Sequence, residues 1–272
     1  MTEAQTGTRN AAADYLEHVA PLTNQFFPAF MKLASVQPGE RVLDLACGPG
    51  DLTLEAAARA GAQGEVLGID ISPEMVELAR RRALDAGVRN VRFEVMDAQK
   101  LDLRDSYWDL VICHLGVTEF ADPAAALREV FRVLRPVGRT CFSTWGTVER
   151  SPWLAIPHDA AHAVIPARPA AQRAPAFRYG EPGVLSNMLA EAEFGDVTPD
   201  RLTASLEYTD ATAYWTAIER GLAATVKPLA GLNEAQLAAV REAGDPALRR
   251  WRHPRTHVLR PPVEAFIGVA CK

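Results

Sequence analysis

Four polar residues, Asp44, Asp70, Asp97 and His114, each close an apolar run of strand type. A carboxylate offers two acceptor oxygens and a charge. It can hold both hydroxyls of a vicinal diol, an exocyclic amine or an ammonium group through charge-assisted hydrogen bonds. A histidine adds a group that titrates near neutrality and can serve as a general base or as an orienting dipole. Its bland alternative is a ring hydrogen-bonded behind its strand end. After the first acid comes the turn Ala46-Cys47-Gly48-Pro49-Gly50-Asp51. Glycines there let a ligand approach backbone N–H groups closely. A dinucleotide loop wants G-x-G-x-x-G, and here Gly50 is followed by Asp51, Leu52 and Thr53. With its third glycine missing and Asp44 beside it, the turn suits a cationic, donor-rich ligand better than a pyrophosphate.

Other chemistry-bearing residues carry less. Glu119 and Asp122 are secondary base candidates that equally suit the cap of a helix at Pro123. His158-Asp159-Ala160-Ala161-His162 imitates H-E-x-x-H, but Asp shortens the supposed base and a third ligand is missing, so no metal is expected. Arg249, Arg250, Arg252, His253, Arg255 and His257 surround Trp251 in a basic stretch. It reads first as a solvated face, with an anionic-substrate contact or a docking patch as alternatives.

The elements that must position these groups alternate. Strands are expected at Arg41–Leu45, Glu65–Asp70, Val91–Met96, Trp108–Cys113 and Arg139–Trp145, with helices between them from Leu52, from Ser72-Pro73 and from Asp122-Pro123. The last of these carries Leu127, Val130, Phe131 and Leu134 and stops at Pro136. Ser72 suits an N-cap and Pro73 the first helical position. Such βαβ units make a largely parallel sheet, whose ligands sit beyond the carboxyl ends of its strands. Four polar residues at four such ends therefore point to one site.

Before this repeat, Tyr15, Leu16, Val19, Leu22, Phe26, Phe27, Phe30 and Met31 follow a helical period broken at Pro21 and Pro28, while residues 1–10 are without pattern. Residues 1–37 thus form a helical preface that either packs on the domain or covers the site as a lid. The main domain is assigned to residues 38–272, with inserts at about 147–180 and 209–262. The first insert is proline-rich (Pro157, Pro166, Pro169, Pro175) and falls where a cover over a second substrate would arise. A helix opening at Glu181-Pro182, a strand over Asp196–Tyr208 bulged near Pro199, helices at Thr209–Val226 and Asn233–Ala243, and a last strand at Val263–Cys271 complete the reading. Tyr214, Trp215 and Ile218 make a helical stripe that reads as core.

With 272 residues, 48% hydrophobic and 23% charged, the chain has the composition of an ordinary globule. Its net charge of −5 argues against a general nucleic-acid binder. There is no run of eighteen apolar residues and no apolar core near Met1. The four cysteines, Cys47, Cys113, Cys141 and Cys271, form no C-x-x-C pair. A reduced, cytoplasmic protein without a membrane span is expected.

Val42-Leu43-Asp44-Leu45-Ala46-Cys47-Gly48-Pro49-Gly50, Gly68-Ile69-Asp70-Ile71-Ser72-Pro73-Glu74-Met75 and Leu134-Arg135-Pro136-Val137-Gly138 resemble class I S-adenosylmethionine-dependent methyltransferases, in the flavour of ubiquinone/menaquinone-biosynthesis enzymes. The resemblance is specific over roughly residues 38–146. It implies an α/β Rossmann-like fold with a seven-stranded, mostly parallel sheet, an antiparallel last strand and helical inserts over the active site. It implies S-adenosylmethionine as cofactor, with Asp44, Ala46, Cys47, Gly48 and Gly50 around its methionine part and Asp70, Ile71 and Met75 at the ribose. Asp97, Ala98 and Gln99 would meet the adenine, and His114 and Leu115 would line the methyl-transfer region. His114 is the leading catalytic candidate, ahead of Glu119 and Asp122. The turn Cys113-His114-Leu115-Gly116 is not the Asn/Asp-Pro-Pro-Tyr of base-amine methylation, and the acids of metal-dependent O-methylation are missing. The partner expected is a small organic acceptor. The alternatives are a silent cofactor-binding module and an NAD(P) oxidoreductase, the latter disfavoured because no tyrosine has lysine four residues on.

Overall fold

The computed structural model describes residues 11–165, 175–221, 229 and 231–272. Three short helices come first, α1 (Ala11–His18), α2 (Ala20–Thr23) and α3 (Phe27–Ala34). Pro21 and Pro28 sit in the first turns of α2 and α3, where a missing N–H costs nothing, so each proline starts a helix as the preceding one ends. Then follow β1 (Arg41–Leu45), α4 (Asp51–Ala60), β2 (Glu65–Asp70), α5 (Pro73–Asp85), β3 (Val91–Val95), β4 (Trp108–His114), α6 (Pro123–Val133) and β5 (Leu134–Trp145). The last part holds α7 (Pro152–Val164), α8 (Val184–Glu191), β6 (Gly195–Ser205), α9 (Ala211–Thr216), α10 (Glu234–Leu248) and β7 (Pro262–Cys271).

The strands form one sheet in the order β3-β2-β1-β4-β5-β7-β6. β1 to β5 pair in parallel, and β7 runs antiparallel to both β5 and β6. Strand order reverses between β1 and β4, which opens a crevice at their carboxyl ends. Buried side chains cover both faces. Phe30, Met31, Leu52 and Ala56 pack on one, and Leu127, Val130, Leu185 and Leu189 on the other. Beyond the carboxyl edge, Phe26, Trp145, Trp153, Tyr214, Trp215 and Ile218 form an apolar cap built from the N-terminal helices and both inserts.

The opposite edge is fixed electrostatically. Asp109 accepts from the Arg41 N–H (2.8 Å) and Nε (2.9 Å) and from Arg135, which ties the starts of β1, β4 and β5 together. Burial alone would raise this carboxyl, but the guanidiniums and the N–H outweigh it and hold it down at about 2.

The structure departs from the sequence reading in several elements: β6 ends at Ser205 rather than Tyr208, and α10 runs on to Leu248 rather than Ala243. α6 ends at Val133, not beyond Leu134. Leu134 already has extended geometry and pairs with Trp108, so β5 begins there and bulges through Val137 before Arg139 meets Leu110. Sheet pairing overrides the helical period at this junction. α8 opens at Val184 rather than Glu181, because Gly183 stands at φ +85°, a left-handed conformation outside a helix. The helix expected over Thr209–Val226 is broken into α9 and a five-residue π turn, Ala217–Gly221, and residues 222–226 lie outside the described residues. So do residues 1–10, Pro166 and Pro169.

Candidate functional site

β1 leads into a loop whose backbone is left-handed at three positions. Ala46 (φ +53°), Gly48 (φ +54°) and Gly50 (φ +85°) are all left-handed. A Cβ on Gly50 would also stand 3.0 Å from Ala79 and the Phe93 ring, so glycine is required there twice over. The turn after β4 lies back to back with this loop. Leu115 is left-handed (φ +62°), and a Cβ on Gly116 would come within 2.5 Å of Ala46 Cβ.

Asp70 locks the glycine loop to β2. Its Oδ2 accepts the Gly48 N–H (2.9 Å) and its Oδ1 the Ser72 N–H (2.9 Å). Each oxygen keeps a lone pair for a further donor. Burial raises this carboxyl, while the N–H groups of Ser72, Gly48 and Ile71 oppose the rise. Beside it Ile71 is 70% exposed, an apolar face left open to solvent. Ser72 caps α5 by accepting the Met75 N–H (3.3 Å). The Met96 N–H donates to the Asp70 carbonyl (3.0 Å), which brings the end of β3 alongside. One residue on, Asp97 Oδ1 accepts from the Gln99 N–H and Nε2, both at 2.9 Å, and Ala98 is buried.

Asp44 is only 1% exposed, and its Oδ2 accepts from Thr53 Oγ1 at 2.6 Å. Burial pushes its pKa up to about 7, against the Thr53 hydrogen bond and with help from the negative Asp70. Burial thus favours its neutral form, and a cation beside it would favour the carboxylate. Neighbouring Cys47 is buried too, and burial drives its thiol upward, which makes it an apolar wall rather than a nucleophile.

His114 has both ring nitrogens engaged. Nε2 faces the Thr23 carbonyl (3.4 Å), which can only accept, so the proton is on Nε2. Nδ1 then accepts from Ser143 Oγ (2.8 Å), which itself accepts the Leu115 N–H (3.0 Å). Phe26, Phe27 and Phe30 surround the ring, and burial lowers its pKa to about 4. It is a neutral imidazole that joins the end of β4 to the N-terminal helices.

Asp44, Ala46, Cys47, Gly48, His114 and Leu115 together line one small cleft at the carboxyl edge. Tyr15, Thr23 and Phe27 close it from the N-terminal side. Tyr15 hydrogen-bonds to Thr23, and burial raises its phenol to about 12. Asp70, Ile71, Asp97, Ala98 and Gln99, at and after the ends of β2 and β3, and Met75 in the first turn of α5 are outside this cleft.

Sequence reasoning missed Tyr15, Thr23, Thr53 and Ser143 as parts of the site. Tyr15 lies in the N-terminal helical pattern, which left packing and a lid both open, and Thr53 in the helix after the glycine turn. Asp122 caps α6 by accepting the Ala125 N–H (2.9 Å), and Glu119 stands in a short 3-10 turn. His158 and His162 lie on α7 with ring centroids 4.8 Å apart. Tyr214, Trp215 and Ile218 are buried in the cap, and Arg249 to His257 are exposed apart from the half-buried Trp251.

S-adenosylmethionine fits these residues. Its ribose diol needs two anionic acceptors with free lone pairs, as on Asp70. Its cationic end needs an uncompensated carboxylate, as on Asp44. Its adenine needs an apolar face, as on Ile71 and Ala98. Phosphate groups would instead meet Asp44 and Asp51.

The comparisons with known proteins agree. Residues 37–169 match the family model of a methyltransferase domain. The ubiquinone/menaquinone biosynthesis C-methyltransferase UbiE of Yersinia pestis (strain Pestoides F) is 34% identical over 185 residues, covering 64% of this chain and 73% of that protein. UbiE of Azotobacter vinelandii is 44% identical over 110 residues, and the match spans 40% of this chain and less than half, 44%, of that protein's length. The YcgJ protein from Bacillus subtilis shares the fold, with TM-score 0.63 at 20% identity over 92% of this chain and 98% of its own. No described helix is long and apolar enough to cross a membrane. A sheet that reverses at β1 and β4, acids at the strand ends beside it and a relative matched over most of its length lead to one conclusion: the chain belongs to the class I S-adenosylmethionine-dependent methyltransferases.

Proposed function

We propose that this protein moves a methyl group from S-adenosylmethionine to a small organic acceptor by direct displacement, and that it works in the cytoplasm. The observation that carries the reading is the Asp70 carboxylate. Each of its oxygens is oriented by one backbone N–H and retains a lone pair, so the pair is set to grip a vicinal diol. Ile71, Met75 and Ala98 would flank the adenosine, and Asp97 and Gln99 would read its base edge. Ala46, Cys47, Gly48 and Gly50 would cradle the methionine part, with Asp44 receiving its ammonium.

When bound, S-adenosylmethionine supplies a methyl group already activated on a sulfonium, so the chain's own work is positioning and exclusion of water. Asp44, raised to about 7, gives up its proton as a cation arrives. His114 positions rather than abstracts: its Nδ1 lone pair is held by Ser143 and its Nε2–H by Thr23. The N-terminal helices act as the lid, since Tyr15, Thr23 and Phe27 close the cleft. The apolar cap makes the acceptor's surroundings dry, which favours a partly apolar acceptor.

Calorimetric titration with S-adenosylhomocysteine, with NAD in parallel, tests the reading. Micromolar binding of the former alone is expected, followed by acceptor-dependent release of S-adenosylhomocysteine in an acceptor screen. NAD binding would make the protein an oxidoreductase. Binding without turnover across the screen would make it a silent cofactor-binding module.

A further inference from the structure

Arg80, Arg81 and Arg82 stand in a row near the end of α5, and each does something different. Arg80 Nε and one terminal nitrogen donate to the Phe93 carbonyl (2.9 and 2.6 Å) and hold β3 to the helix. Arg81 points into solvent and pairs with Glu77 one turn back at 2.9 Å. Arg82 turns toward the ligand loop. One terminal nitrogen donates to the Pro49 carbonyl (2.6 Å) and to Asp51 Oδ2 (2.7 Å), and the other to Asp51 Oδ1 (2.7 Å).

These contacts close a ring. α5 begins at Ser72, whose N–H is taken by Asp70, and Asp70 also takes the Gly48 N–H. The same helix, three turns on, returns through Arg82 to Pro49 and Asp51. The β2–α5 unit therefore grips the glycine loop on both sides of Pro49. The loop needs such a grip, because Ala46, Gly48 and Gly50 are all left-handed and the Cys47 N–H to the Ile69 carbonyl (2.9 Å) is its last backbone bond to β2. A planar, bidentate guanidinium suits the task, since it fixes the Asp51 carboxylate plane and reaches a carbonyl at once. Pro49 and Asp51 line the cleft, whereas Arg82 does not.

We infer that Arg82 is a positioning residue for cofactor binding: it orders the glycine loop from outside the cleft and couples the methionine end of the site to the ribose end. This rests on the methyltransferase reading for its ligand, but the ordering of the loop does not. Two measurements are made on the full chain with Arg82→Gln, Arg82→Lys and, as control, Arg81→Gln. The first is amide hydrogen exchange without ligand. Arg82→Gln should speed exchange at residues 47–53 about tenfold or more and leave β4 and β5 unchanged, while Arg81→Gln should match the wild type. The second is titration with S-adenosylhomocysteine together with steady-state kinetics. Arg82→Gln should weaken binding about 10- to 30-fold and raise the cofactor KM to match, with kcat at saturating cofactor and the acceptor KM within about threefold. Arg82→Lys, a point charge that can satisfy Asp51 or Pro49 but not both, should recover only part of the affinity. Adding Asp51→Asn to Arg82→Gln should cost less than the two effects summed.

Unchanged exchange at residues 47–53 in Arg82→Gln would overturn the inference, whether or not the wild type binds the ligand. So would wild-type affinity in that variant, or a general loss in which Tm and kcat fall and both KM values rise together. A wild type that does not bind S-adenosylhomocysteine while Arg82→Gln still loosens the loop would overturn the cofactor reading and leave the loop-ordering half supported.

Discussion

At the scale of the residue, Asp70 carries two duties that one side chain can discharge only as a carboxylate. It fixes the Gly48 and Ser72 N–H groups, and in the proposed role its remaining lone pairs take a ligand's hydroxyls. Asp70→Ala should weaken S-adenosylhomocysteine binding by roughly 2–4 kcal/mol, since a charged acceptor is lost from both hydroxyls and the Gly48 N–H loses its partner. Titration of a variant with native circular dichroism checks this. Unchanged affinity would remove Asp70 from the ribose site. His114 shows the reverse economy: a residue that invites a catalytic role from its place in the chain is occupied on both sides by structure. Among the three adjacent arginines on α5, residue type says nothing about which one touches the loop; only the turn of the helix does.

At the scale of the element, the inserts are bound into the fold by exchanges of hydrogen bonds that cross between helices. Pro157 lies inside α7 and has no N–H to give to the carbonyl four residues earlier, that of Trp153. Tyr214 from α9 supplies the missing donor, its hydroxyl reaching the Trp153 carbonyl at 2.6 Å in a fully buried setting. Trp215 Nε1 in turn donates to Asp245 on α10 (2.8 Å). Tyr214→Phe should therefore destabilise the protein by about 1–3 kcal/mol, because it leaves a buried carbonyl without a partner while keeping the ring packing. Denaturant unfolding measures it, and a loss below about 0.5 kcal/mol would mean that the carbonyl finds another donor. The N-terminal helices are joined to the sheet in the same manner, by Thr23 on one side and the ring of three phenylalanines around His114 on the other.

At the scale of the whole molecule, two buried groups pull stability in opposite directions with pH. Asp44 rises to about 7, so between about pH 4 and 7 the native state binds more protons than the unfolded chain, and stability falls as pH rises. His114 is lowered to about 4, so between about pH 4 and 6.5 the native state binds fewer protons, and stability rises with pH. Asp44 is worth about 4 kcal/mol and His114 about 3, and the two slopes oppose each other where they overlap, between about pH 4 and 6.5. Asp44→Asn should then show stability climbing from pH 4 to 6.5, and His114→Gln should show it declining from pH 4 to 7. Urea unfolding across this range separates them; parallel slopes in the two variants would refute the assigned protonation states. Asp44→Asn should also be more stable than the wild type at pH 8 and bind S-adenosylhomocysteine more weakly, the mark of a charge kept for a ligand at the expense of the fold.

What the amino-acid sequence determines by itself here is whatever depends on near neighbours. The alternation of apolar runs with capped helices places β1 to β4 within a residue or so. Ser72-Pro73 and Asp122-Pro123 start helices where their caps say they should, and three acids and a histidine at four strand ends point to a site at the carboxyl edge. Where a local period competes with sheet pairing, as at Leu134, the period misleads, because pairing with Trp108 is a contact between distant segments. Only the tertiary structure decides the electrostatic state of the site. Asp44 is poised near neutrality because burial, not its neighbours in sequence, surrounds it, and His114 is neutral because Thr23, ninety-one residues earlier, and Ser143, twenty-nine later, take its nitrogens. Arg82 is likewise indistinguishable from Arg80 and Arg81 until α5 is laid against the loop. Hydrogen bonds and desolvation act over a few ångströms of space with no regard for separation along the chain, so the sequence names the groups and the fold sets their charges and partners.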